Sequence, residues 1–148
     1  LDGIKNVYIG DRGYCSYNNM AHVVEQGQYF LFRTKDIHSK GLVGNFNFPD
    51  AESFDIDVSV ILVRSHSKKV LADIHTEGYI RFVDQAAAFN IEYGSYDTYE
   101  LSFRILRFPI STSTYECIVT NLPRDEFPVE RIKTLYNADE TLNPHSGN

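Results

Sequence analysis

A chain of 148 residues with 43 % hydrophobic and 23 % charged side chains has the composition of about one folded soluble domain, which argues against a disordered tail. Its net charge of −6 counts against a general nucleic-acid binder, whose electrostatic footprint is basic. No apolar run approaches the roughly 20 residues that cross a bilayer, and Cys15 and Cys117 lie far apart without metal-ligand spacing, so a soluble cytoplasmic protein with reduced thiols and no membrane partner is expected.

In chain order, Val7, Tyr8 and Ile9 form a β-prone run between Asn6 and Gly10 and predict a strand ending at Asp11. Ser16 suits a helix N-cap, because Tyr17, Met20, Ala21 and Val24 follow at the spacing of one buried helix face, and Gly27 fits a left-handed stop. The run "QYFLFRTKD" predicts a second buried strand with Arg33 and Lys35 at its far end. Strand, helix and strand in succession predict two parallel neighbours joined by a right-handed crossover.

From about Gly41 to Leu122 the period becomes two. "FDIDVSVIL" and "YELSFRI" alternate apolar and polar residues, and the segments around Val70 to Asp84, Phe89 to Tyr93 and Tyr115 to Thr120 read similarly. An antiparallel meander of about five or six strands is the expectation. Pro128, acids around the first turn, and Val129, Ile132, Leu135 and Tyr136 on one face then predict an amphipathic helix, followed by an unpatterned end.

Asp11 stands where side chains leave the carboxyl end of a parallel strand, which is where reactive groups gather in open α/β sheets. A carboxylate there is a hard oxygen ligand suited to Mg²⁺. Two-metal phosphoryl transfer needs further acids converging on ions about 3.5–4 Å apart. The plain alternative, which the tripeptide alone favours, is a loop in which Asp11 caps the next helix and Arg12 is solvated.

The run "IGDRGYCSYNNMAHVVEQGQYFLFRTKD", the long β-rich stretch and "IVTNLPRDEFPVERIKTLY", in that order, closely resemble bacterial insertion-sequence transposases of the DDE class. The similar group is the cut-and-paste one whose ribonuclease H-like core is interrupted by a β-rich insertion. The resemblance runs from about residue 5 to Tyr136 and implies a mixed α/β fold, with residues 1–40 and 123–140 forming parts of that core and 41–122 the insertion. It implies that Asp11 is the second acid of a catalytic triad and a ligand for Mg²⁺ or Mn²⁺. Arg12, Arg33, Lys35 and Tyr136 would be DNA-contacting positions. The implied activity is metal-dependent cleavage and strand transfer on transposon ends and target DNA. A homodimer of the complete enzyme is compatible with it.

The chain departs from that pattern at both ends. It opens on Leu1 within a stretch already patterned as structured, too late to hold the first aspartate, so a piece of a longer, inactive-alone protein is expected. After Tyr136 the family signature calls for arginine, glutamate and lysine at positions 139, 143 and 150, whereas this chain has Asp139 and Asn143 and stops at Asn148. Glu140 with Thr141 resembles the family's Glu-Thr step displaced by three residues, which rotates a helical side chain by most of a turn. A catalytically dead DNA-associating remnant and a product with no selected role stand beside the transposase reading.

Other features are read more plainly. Asp55 and Asp57 fall on the polar phase of a strand, and Asp73 and His75 share their spacing; both pairs are expected on solvated faces. "RSHSKK" is a basic turn that can meet phosphates or simply face water. The ten Tyr and ten Phe are accounted for by core packing and cross-strand pairs. No GxSxG elbow, Walker loop or dinucleotide glycine loop occurs.

Overall fold

The computed structural model describes residues 6–38, 42–44, 46–63, 79–82 and 98–142, with positions 79, 82, 98 and 138–142 described by backbone alone. The elements are β1 (Val7–Gly10), a one-turn 3-10 helix (Arg12–Tyr14), α1 (Tyr17–Glu25), β2 (Tyr29–Thr34), β3 (Phe54–Val63), β4 (Tyr79–Phe82), β5 (Thr98–Pro109), β6 (Tyr115–Thr120) and α2 (Val129–Leu142). Among the described residues six strands make a single sheet in the order β1-β2-β6-β5-β3-β4. The described residues are therefore mixed α+β, with two α-helices and one sheet among them.

The amino-terminal unit forms as its residues dictate. Ser16 Oγ accepts from the Asn19 amide at 3.1 Å and caps α1, while Gly27 adopts φ +69° after it. β1 and β2 are parallel, with Val7 opposite Tyr29 and Gly10 opposite Phe32. Phe30, Leu31 and Phe32 are all buried, so β2 carries apolar side chains on both faces and is covered on both.

The β-rich stretch departs from a meander. β5 pairs antiparallel with β3 over ten residues and with β6 over six, but β4 lies parallel to β3 rather than beside β5. β6 in turn lies antiparallel to β2, with Leu31 opposite Thr120. Strands from the 41–122 stretch thus extend the sheet of β1 and β2 directly. The strand expected near Phe89 to Tyr93, the basic turn 64–69 and the Asp73–His75 pair lie outside the described residues.

Successive strand residues point to opposite faces, and the two faces bury separate cores. Phe30, Phe32, Val60, Phe103, Ile105 and Val119 pack beneath Met20 and Ala21 of α1. Leu31, Leu106, Phe108 and Ile118 pack beneath Ile132 and Tyr136 of α2. Each fully buried large apolar side chain contributes about 1.5–3 kcal/mol relative to an exposed one, so each helix is held to its own face mainly by burial.

Candidate functional site at the carboxyl end of β1 and β2

Asp11 follows the last residue of β1, and its Oδ1 accepts from the Gly13 amide at 2.9 Å, closing the one-turn helix. Ser16, not Asp11, caps α1. The two glycines around Asp11 have packing reasons. A Cβ on Gly10 would lie 2.9 Å from Tyr14 Cβ, and one on Gly13 would lie 3.2 Å from Asp11 Oδ1. Arg12 is exposed beside this turn.

Asp11 and Arg33 both stand just past the last paired residues of β1 and β2. Gly10 and Phe32 are the last β1–β2 pair, and Asp11 and Arg33 are the next residues on each strand. Arg33 is turned onto Glu116 of β6, with Nε 3.2 Å from Oε1 and Nη2 3.5 Å from Oε2. Tyr136 of α2 donates its hydroxyl to Glu116 Oε2 at 2.8 Å, and the Arg33 guanidinium sits 5.4 Å from the Tyr136 ring centre. The Glu116 side chain is 3 % exposed and that of Arg33 21 %. Arg33 and Tyr136, both singled out in the sequence, therefore meet on a buried acid that was not. A Glu in "YECIVT" looks like one polar step in a strand, and only the strand order reveals its partners.

Lys35 is exposed just beyond the end of β2. Glu140 belongs to α2, four residues past Tyr136, and its side chain lies outside the described residues. Among the described residues no three His, Cys, Asp or Glu side chains cluster to hold a metal ion. Asp11 supplies one carboxylate, and one carboxylate does not make a Mg²⁺ site.

A second polar cluster lies on the α2 face, where Asp55 and Asp57 were expected to be solvated. Asp57 is, with a side chain 72 % exposed, but that of Asp55 is only 12 % exposed. Asp55 receives Arg104 Nε at 3.0 Å and Nη2 at 2.6 Å, and Arg124 Nη2 at 2.9 Å. Arg104 Nη1 also donates to the backbone oxygens of Leu122 and Phe127, both at 2.9 Å. The connector between β6 and α2 covers the polar phase of β3 and β5 at Asp55 and Arg104, while Asp57, Ser59 and Ser102 farther along it stay open to solvent. Burial pushes the Asp55 carboxyl up, but the hydrogen bonds from Arg104 and Arg124 outweigh it and leave it below the usual carboxylate value.

No helix among the described residues is long and apolar enough to cross a membrane. No family model matches the chain, and neither a curated protein nor a solved structure shows significant similarity to it.

Proposed function

We propose that this chain carries part of the catalytic core of a DDE-type DNA transposase working in the bacterial cytoplasm, with Asp11 as one metal-gripping acid and the exposed Arg12 and Lys35 as contacts to the DNA backbone. The observation that carries the reading is the shared end of β1 and β2, where Asp11 and Arg33 each follow the last β1–β2 pair and Tyr136 of α2 lies against Arg33. That end is the carboxyl end of a parallel pair, the place where α/β sheets collect reactive groups. α2 starts near Arg104 on β5 and reaches Glu116 on β6 and Arg33 on β2 by Tyr136, so its course runs towards β1. Asp11 would hold Mg²⁺ only together with further acids beyond the described side chains, and the ion would supply the charge that neutralises a reacting phosphate.

A non-catalytic DNA-associating role through Arg33 and Lys35 is the second reading; Lys35 is exposed for it, whereas Arg33 is engaged by Glu116 inside the protein. One experiment separates the two. Mn²⁺ titrated into the isotope-labelled chain broadens the Gly13 and Tyr14 amide signals under the transposase reading, and Asp11→Asn, which keeps an oxygen to cap the turn, removes the broadening. Absent or unrelated broadening overturns it. Duplex affinity that falls with salt, with a slope about one unit shallower in Lys35→Gln, remains for the binding-only reading.

A further inference from the structure

A cavity of about 590 Å³ opens on the α1 side of β1, and no residue of the proposed acid site is needed to explain it. Its floor is Phe32, and its rim carries Tyr8 and Tyr14, which remain 43 % and 60 % exposed. Exposed as it is, the Tyr14 ring is seated: its Cγ and Cδ2 lie 3.0 Å from where a Gly10 Cβ would be, so only glycine at position 10 admits it. The cavity is also lined by a polar row of Asn19 and His22 on α1 and Gln26, the C-cap residue that ends it, spaced three and four residues apart. Asn19 is fixed by donating its Nδ2 to the Tyr14 carbonyl at 2.8 Å. Among the described residues no Asp, Glu, Lys or Arg lines the cavity.

We infer that this cavity is a binding site for a planar, uncharged heteroaromatic ring, specifically a purine nucleobase. A volume of this size falls in the range of small-ligand sites, which are mainly apolar with a few polar groups that fix orientation. A seated tyrosine supplies a stacking surface without ordering cost on binding. The Asn19 side-chain oxygen and the Gln26 amide along one edge match the alternating acceptors and donors of a base. The uncharged side chains of the described lining fit the base and not its phosphate. The base has two sources of the same chemistry, a free mononucleotide or an unpaired base in a DNA strand, and the inference stands independently of the acid at Asp11.

Two titrations of the full chain test it. With dAMP, amide shift changes centre on Tyr8, Tyr14, Asn19 and Gln26, and Tyr14→Ala and Asn19→Ala each weaken binding, the former by about tenfold. With duplexes carrying 2-aminopurine, fluorescence quenching by the protein is stronger when the analogue sits in a bulge than when it is paired, if DNA is the source; if only dAMP binds, the source is the mononucleotide. Shift changes elsewhere, or unchanged dAMP affinity in both variants, overturn the inference. So does a concentration-dependent dimer in sedimentation that Tyr14→Ala dissociates, since the cavity would then be filled by a second copy.

Discussion

Asp55 owes its ionisation behaviour to competing terms that can be separated by pH. Burial opposes its charge, while hydrogen bonds from Arg104 and Arg124 favour it more strongly, so the folded protein holds this carboxyl below the ordinary 3.8 of an unfolded chain. Asp36 is shifted the same way, first by its hydrogen bond from Arg107. A group with a depressed folded pKa supplies stability that is complete above its unfolded pKa and is lost as pH falls through the folded one. Urea unfolding followed from pH 6 down to pH 2 is therefore expected to show stability dropping below about pH 4, and Asp55→Asn to drop less steeply. An identical slope in the variant would show that Asp55 is not the group being titrated.

Arg104 acts at the scale of elements, because one guanidinium joins β3, β5 and the connector that leads into α2. Its side chain is 4 % exposed. Truncation in Arg104→Ala strands the Leu122 and Phe127 carbonyls and removes one of the two arginines on Asp55, a loss of about 3–5 kcal/mol for breaking a buried pair from one side. The expected readout is a lowered urea midpoint together with faster amide exchange in α2; a change under 1 kcal/mol would contradict this role. How much of this was legible in the sequence follows from range. Ser16, Gly27 and the apolar run of β2 announce themselves, since caps, left-handed stops and buried strands are written in neighbouring residues. The parallel β1–β2 pair followed from the helix between them. Alternation in β3 and β5 was visible too, but a period does not tell what lies over the polar phase, so Asp55 and Arg104 were not recognisable as buried partners. The Arg33–Glu116–Tyr136 cluster draws on three elements far apart in the chain, and the candidate acid at position 11 was readable only as a position.

At the scale of the whole molecule, both thiols report on cooperative unfolding. Burial pushes Cys117 up to about 12 and Cys15 up to about 11, the latter opposed by a hydrogen bond with Thr34. The thiolate is the reactive form, so a disulfide reagent at pH 8 is expected to label the native protein slowly and at a rate that rises with urea in step with unfolding. Fast labelling of both thiols without denaturant would show that the core opens locally. The placement of β6 between β2 and β5 has a further consequence for synthesis. Leu31 pairs with Thr120, so the middle of the sheet cannot close until residue 120 has left the ribosome, and β2 must wait with an open flank until then. Contacts so distant along the chain slow the search for the native state, which makes the interval before β6 emerges the period in which this protein most needs shelter from its neighbours.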